Sequence, residues 1–408
     1  MPVMDSSPIV TAAANLLSRH FERPIRLALL DVYTTWMDRI LRCQVLVPRG
    51  ELPETLIVKH SVPRPEPAYD DWHMYAILND WAAGLYLEGI NGKVPLGPRF
   101  YCADLQHRIV VMEDLGTGTT PDTFALLFGK DAERAAESLT EHVALLGRLH
   151  AATCRTARGY LPIRDGLGTP EPELPLYGNP WSRARLRTST EEEIRDAVGR
   201  YKLALKAVDV LPPAGAEQEI ALVTAEIEDQ PGDFLAYCKG DQEIPNDAIR
   251  VGARLRLFDF NVGGLRHALI EGMPGRMTWG CHGRFPENLI VKMEDVYQRE
   301  LAKGCVAAAD ARTYSRAMAL AAARWHLFHV TSRLAEAVRA DAVRGPLATL
   351  RQQFLGWTEA FITLAGDDGA VPALAKTARK LAVRLRQQWP SEAHTIPYYP
   401  AFQVSNPL

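Results

Sequence analysis

Strand-like and helix-like segments are segregated along this chain, and that separation constrains its fold more than any single motif. Residues 25–33 (IRLALLDVY), 39–47 (RILRCQVLV) and 55–62 (TLIVKHSV) are rich in β-branched and aromatic residues, and PRGELPE supplies a turn between the last two. A helix fits residues 70–88, with Leu78, Trp81, Ala82 and Leu85 on one face. Two further strands are expected near 98–103 and 108–113, ending in the polar break EDLGTGT at 113–119. A short apolar helix, PIVTAAANLLSRH at 8–20, precedes the first strand.

From about residue 120 the pattern becomes helical: 137–153, then 189–210 and 215–229 after the Pro-rich stretch 169–180. A small β patch interrupts it at 233–260, and three helices close the chain near 309–340, 347–364 and 371–388. Strands first and helices later exclude an alternating parallel sheet. The expectation is an α+β, bilobal fold: residues 1–115 a β-rich N-lobe with one helix, residues 116–408 a mostly helical C-lobe.

Charge narrows the function. The chain has 408 residues and a formal net charge of −3, without the concentrated basic face that nucleic acid requires. The opening MPVMDSSPIV is not a secretory signal, and no run of about 18 apolar residues occurs. A cytoplasmic protein without membrane or nucleic-acid partners is expected, either a monomer or a homodimer. The six cysteines show no CxxC pair or zinc-like spacing and read as buried thiols.

Four features carry chemistry. Lys59 lies within the strand LIVKH, where its stem is buried and its ammonium needs a definite partner, unless an edge strand lets it snorkel into water. The following helix offers Asp80, off the apolar stripe, with Asp70 and Asp71 as rival partners. CKGDQEIPNDAI places Asp241 at a strand end and Asn246 five residues on. A carboxylate that takes a hydroxyl proton and an oxygen ligand for Mg²⁺ is what phosphoryl transfer to an alcohol needs, although Gly, Asp, Asn and Pro also make ordinary turns. RLRLFDFN then ends a strand with Asp259, a carboxylate whose burial calls for a cation.

In order and context these four features resemble the kinase set of strand lysine, helix acid, Asp-x4-Asn and Asp-Phe-x. KGDQEIPN and DFN are similar to the HGDxxxxN and DFD motifs of aminoglycoside phosphotransferases, and VVMEDLG (110–116) and LLGRLHAAT (145–153) resemble further parts of that family. The likeness covers roughly residues 25–265.

The resemblance implies a protein-kinase-like fold and an ATP- and Mg²⁺-dependent phosphotransferase acting on a small-molecule hydroxyl. Asp241 would be the catalytic base, and Asn246 and Asp259 the metal ligands. Lys59 would grip the nucleotide phosphates with Asp80 in support, and the backbone of Glu113, Asp114 and Leu115 would meet the adenine. His150 would tie its helix to the catalytic loop.

Three departures stand out. Lys239 replaces the family's histidine two residues before Asp241, where it is either benign or pairs with Asp241 and blunts it. The helix acid is Asp instead of Glu. The loop DVYTTWMDR lacks glycine, leaving the hydroxyls of Thr34 and Thr35 to serve phosphates. In residues 261–290, Trp279, His282, Arg284 and Phe285 either line a pocket or cap the lobe. The substrate is open between an aminoglycoside-like antibiotic and a metabolite. The alternative function is a catalytically weak, kinase-fold nucleotide-binding or regulatory protein.

Overall fold

Leucine, valine and isoleucine recur through the strand segments between residues 26 and 113 and build a five-stranded antiparallel sheet in the order β1-β2-β3-β5-β4. Its strands are β1 Arg26–Thr34, β2 Asp38–Val47, β3 Thr55–Ser61, β4 Phe100–Asp104 and β5 Ile109–Glu113. Four short strands follow: β6 Leu235–Cys238, β7 Ala248–Val251, β8 Arg254–Leu257 and β9 Gly264–His267. The computed structural model describes residues 6–35, 38–47, 52–90, 95–116, 122–168, 176–177, 187–241, 244–366 and 369–403. Residues 36–37 of the expected phosphate loop and most of the Pro-rich stretch 169–180 lie outside them.

The chain forms two units. The first comprises 1–118, 158–172 and 249–263; the second comprises 119–157, 173–248 and 264–408. A boundary at 115 therefore falls close to the end of the first unit's opening segment, but two later segments return to that unit. The return of 249–263 has a local cause: Leu257 N–H donates to the Leu96 carbonyl at 2.8 Å, and Arg256 forks onto Glu113 at 2.8 Å through both terminal nitrogens.

In the first unit, Leu41, Cys43, Val45, Leu56 and Val58 point to one side of the sheet, against Val10, Ala13 and Leu17 of helix α1 (Ser7–His20). The period of two sends Val110 to the other side, where Ile77 and Leu78 of helix α2 (Pro67–Ile90) cover it. Full burial of each of these aliphatic side chains contributes roughly 2 kcal/mol. The expected α2 stripe holds for Leu78, Trp81 and Ala82 but not for Leu85, which is 40% exposed. The reason is that α2 is covered on a second side as well. Tyr86 packs edge-on against Tyr160 with ring centres 5.7 Å apart, and Arg164 lies 5.4 Å over Tyr75, so the buried arc is wide and Leu85 occupies what remains. At Gly84 an added Cβ would fall 2.5 Å from the Phe100 ring, so the close approach of helix and sheet needs glycine there.

The second unit is mainly helical, with β6 and β9 pairing antiparallel inside it. Strand β9 was not expected. The stretch RVGARLRLFDF is not one strand either: it divides into β7 and β8, which pair as a hairpin around Gly252, whose φ of +60° suits the tight reversal. Near 309–340 the expected helix breaks at Arg333 into Ala311–Ser332 and Leu334–Arg339. All six cysteines are free thiols, five of them buried. No helix among the described residues is long and apolar enough to cross a membrane.

Candidate active site

In the first unit the chemistry gathers around Lys59. On β3 the side chains of Leu56 and Val58 enter the α1 side of the sheet, so Lys59 emerges on the α2 side. It is 6% exposed, which removes the snorkelling alternative. Its ammonium lies 2.5 Å from Asp80 Oδ2, 2.7 Å from Asp259 Oδ1 and 3.3 Å from Asp38 Oδ2. Of the rival partners, Asp70 is claimed by Arg108 at 2.5 Å, and Asp71 is exposed. Asp38 was not anticipated. It opens β2 opposite Ser61, so its proximity to Lys59 depends on strand register, which residue spacing alone does not reveal.

Asp80 does two jobs. Oδ2 accepts from Lys59, and Oδ1 accepts the Phe260 N–H at 2.8 Å. Its neighbour Asn79 donates Nδ2 to the Asn261 carbonyl at 3.0 Å and accepts Arg164 Nε at 2.8 Å. Two consecutive α2 residues thus clamp the segment that carries Asp259. Asp259 itself has φ +60°, a left-handed conformation that an aspartate adopts at a cost and that surrounding bonds must hold.

One ammonium among three carboxylates leaves two negative charges in excess. Burial, opposed by Lys59 and reinforced by Asp259, pushes the Asp80 carboxyl up to about 6. Burial would lower the Lys59 ammonium, but the three aspartates outweigh it and hold it charged. The Asp259 side chain is 39% exposed, whereas those of Asp80 and Asp38 are 4% and 6% exposed. Asp259 is therefore the member able to take a ligand from solution. A carboxylate surplus of hard oxygen donors fits a divalent cation such as Mg²⁺.

The segment expected to meet a nucleobase is locked by arginines. Glu113 N–H donates to the Arg99 carbonyl at 2.8 Å, its carboxylate takes Arg256, and Asp114 takes Arg42 Nε at 2.5 Å. Leu115 is half-buried. Between β1 and β2, Thr35 Oγ1 accepts the Asp38 N–H at 2.8 Å, and Thr35 N–H donates to the Asp38 carbonyl at 2.8 Å. The Thr35 hydroxyl closes this turn instead of standing ready for a ligand. Thr34, the last residue of β1, is exposed.

In the second unit, β6 delivers Lys239, Gly240 and Asp241 into a turn with φ +78° at Gly240 and +49° at Asp241. The two left-handed residues swing Asp241 out, and it is exposed, as is Asn246. Glu271, 1% exposed, anchors the turn by accepting the N–H groups of Gly240 at 2.5 Å and Lys239 at 3.2 Å. His150 Nε2 lies 3.0 Å from the same carboxylate, and its Nδ1 lies 2.7 Å from Tyr297 Oη. His150 therefore holds the turn through Glu271, a residue distant in sequence with no local signature. Cys238 completes a trio of possible metal donors within 4.8 Å, but the His150 and Glu271 atoms are already spent on this network.

Lys239 is 1% exposed, and its ammonium pairs with Asp247 Oδ2 at 2.9 Å. His142 Nε2 stands 3.1 Å from the other oxygen, outside good hydrogen-bond alignment. Burial would raise the Asp247 carboxyl, but Lys239 and His142 hold it well below the usual range. Asp247 directly follows the expected ligand Asn246 and was overlooked as the partner of Lys239. In residues 261–290, Trp279, His282 and Phe285 are buried. Phe285 stacks on Tyr399 with centres 5.0 Å apart, and Arg284 bonds Pro397 through its backbone at 2.8 Å. The segment caps its unit, and His282 also lines a small cavity.

No family model and no curated protein matches the chain. Among solved structures, it is similar to a putative aminoglycoside phosphotransferase from Ralstonia eutropha JMP134, with 13% identity over 92% of this chain and 98% of that one, and a TM-score of 0.44. A choline kinase from Cryptosporidium parvum Iowa II shares 11% identity over 94% and 96% of the two chains, with a TM-score of 0.43. The choline kinase LicA from Streptococcus pneumoniae shares 13% over 94% and 99%, with a TM-score of 0.39.

Proposed function

We propose that the protein is an ATP- and Mg²⁺-dependent phosphotransferase that phosphorylates a hydroxyl of a small molecule. The observation that carries this reading is Lys59: one buried ammonium held 2.5 Å from Asp80 and 2.7 Å from Asp259, with Asp259 alone of its carboxylates open to solvent. A structural ion pair needs one carboxylate. A lysine that also serves phosphates needs a rigid acid to aim it and a second acid that can turn to a metal.

In this reading Lys59 grips nucleotide phosphate oxygens while Asp80 fixes its position. Asp259 in the first unit would offer its solvent-open carboxylate to Mg²⁺, Asn246 in the second unit would offer an amide oxygen, and the ion would supply neutralisation of phosphate charge. Asp241 accepts the proton of the acceptor hydroxyl as its oxygen bonds to the γ-phosphorus and the bond to the β-phosphate oxygen breaks, leaving ADP. Glu271 and His150 act by positioning the Asp241 turn.

The closed Thr35 turn favours a second reading, a nucleotide-binding protein with weak turnover, because its N–H and hydroxyl are engaged within the turn and not available to phosphates. Thermal unfolding with ATP and Mg²⁺ separates the two when paired with an ADP-release screen over candidate alcohols. Mg²⁺-dependent stabilisation that Asp259→Ala abolishes is expected, and its absence in the parent protein sinks both readings. Asp241→Ala should retain nucleotide binding and lose phosphate transfer by about 10²-fold or more. Binding without release of ADP above background for any acceptor supports the weak-turnover reading.

A further inference from the structure

Three cysteines gather in the second unit, and none of them has a part in the phosphotransfer reading. Cys154 follows the last turn of the helix Ala132–Thr153, its N–H bonded to the His150 carbonyl at 2.8 Å. Cys305 comes after the helix Glu287–Leu301, its N–H bonded to the Leu301 carbonyl at 2.9 Å. Cys238 ends β6. The two helices meet almost backbone to backbone: an added Cβ would fall 1.9 Å from the Ala151 carbonyl oxygen at Gly304, and 2.8 Å from Glu300 Cβ at Gly147. That approach brings the Cys154 and Cys305 thiols into a hydrogen bond, with Cys154 as donor. Cys305 Sγ donates in turn to the Asp233 carbonyl at 3.3 Å. Cys154 is partly exposed, whereas Cys305 is 2% exposed.

Paired thiols serve either a metal or redox chemistry. A zinc site needs several thiolates or imidazoles around one point. Among the described residues, the trio of donors within 4.8 Å is His150, Cys238 and Glu271, which leaves out both Cys154 and Cys305. We propose that Cys154 and Cys305 are a peroxide-responsive dithiol that closes to a disulfide and reopens under a thiol reductant. The hydrogen bond from Cys154, stronger than the opposing effect of burial, brings the Cys305 thiol down to about 7 and Cys154 up. The pair therefore loses one proton and shares the other. With the shared proton on Cys305, where the Asp233 carbonyl holds it, the thiolate stands at Cys154, the more exposed residue. This thiolate attacks one oxygen of hydrogen peroxide: the S–O bond forms, the O–O bond breaks and hydroxide leaves, so that Cys154 is oxidised to a sulfenic acid and the peroxide is reduced. The Cys305 sulfur then attacks the Cys154 sulfur. The S–S bond forms, the S–O bond breaks, and the departing hydroxide takes the Cys305 proton as water. Cys238, its thiol raised by burial, stays protonated and unreactive. The bridge would join the turn that also holds β6, where Thr153 Oγ1 accepts the Tyr237 N–H at 3.1 Å. The inference does not depend on the phosphotransfer reading.

The test is brief exposure of the folded full chain to sub-millimolar hydrogen peroxide, an acid quench, and peptide mapping under non-reducing conditions. The treated protein should show four titratable thiols in place of its six, a mass lower by two hydrogens, and one cross-linked peptide pair joining Cys154 to Cys305. Dithiothreitol should restore all six thiols. The closed form should unfold at higher urea concentration than the open one, because the bridge closes a long loop in the unfolded chain. Cys154→Ser and Cys305→Ser should each give no cross-link within the chain, and peroxide should no longer raise their urea midpoints. Six surviving thiols, a bridge between any other pair or between two chains, or sulfinic acid at Cys154 without a bridge would overturn the proposal. Mapping of the parent protein keeps the test decisive if a serine variant fails to fold.

Discussion

Lys239 and Asp247 allow a quantitative test of how the second unit tolerates a buried charge beside its exposed aspartate. Lys239 is 1% and Asp247 4% exposed, and their charged atoms are 2.9 Å apart. Asp247→Asn preserves shape and removes the negative charge, leaving the ammonium buried without its counter-ion. Loss of one partner of a buried pair costs about 3–5 kcal/mol. The double variant Lys239→Met/Asp247→Leu removes both desolvation penalties and should lie within about 1 kcal/mol of the parent or above it. Urea unfolding followed by tryptophan fluorescence is a suitable assay, since the Trp279 ring sits 4.8 Å from His142 beside the pair. The pH dependence has a definite sign. A carboxyl held below its ordinary value contributes stability that is complete above that ordinary value and is lost as pH falls through the lowered one. The gap between parent and Asp247→Asn should therefore be constant from pH 5 to 8, and close only in strong acid, below about pH 4. A single variant within about 1 kcal/mol of the parent, or a double variant showing the sum of two single losses, would refute the reasoning.

Four further variants have expected outcomes. Asp80 titrates near 6 in the folded chain, above its unfolded value, so it favours folding increasingly as pH falls from about 7 through 6 toward 4. Asp80→Asn should remove that increment, and a parent-minus-variant stability difference that does not change with pH would count against the raised value. At Gly304 an added Cβ would stand 1.9 Å from the Ala151 carbonyl oxygen, so Gly304→Ala should destabilise the second unit by about 3 kcal/mol in denaturant titration. At Gly199, inside the helix Glu191–Lys206, an added Cβ meets nothing within 4 Å, and Gly199→Ala should stabilise by roughly 0.5–1 kcal/mol in the same titration. Equal effects at the two glycines would mean that propensity, not space, governs both. Glu271→Gln keeps one acceptor but weakens the bonds to Gly240, Lys239 and His150; it should cost about 2 kcal/mol and reduce any phosphotransfer with little change in nucleotide affinity.

Much of the architecture is written in local pattern. The alternation through 26–61 and 100–113 specifies strands, because a period of two presents one face to α1 and the other to α2. Lys59, Asp241 and Asp259 were legible because each breaks an apolar run with a charge that needs compensation. The partners of those charges were not legible. Asp38 reaches Lys59 through strand register, Asp247 takes Lys239 by the path of the loop, and Glu271 meets Gly240 from thirty-one residues away. Leu85 fell outside the core because α2 is covered on two sides, which no stripe on a helical wheel can foresee.

Taken alone, then, the sequence determined the five-stranded opening and the helical run after it, and which charges interrupt apolar strands, since these follow from side-chain period and from the cost of burying charge. Only the tertiary structure decided how those charges are answered. It set three carboxylates around Lys59, turned the Lys239 ammonium to Asp247, and spent the Thr35 hydroxyl on its own turn. Each of these depends on register, backbone sign or packing between segments far apart in the chain, where electrostatic energy is fixed by distances of a few ångströms that spacing along a sequence does not encode.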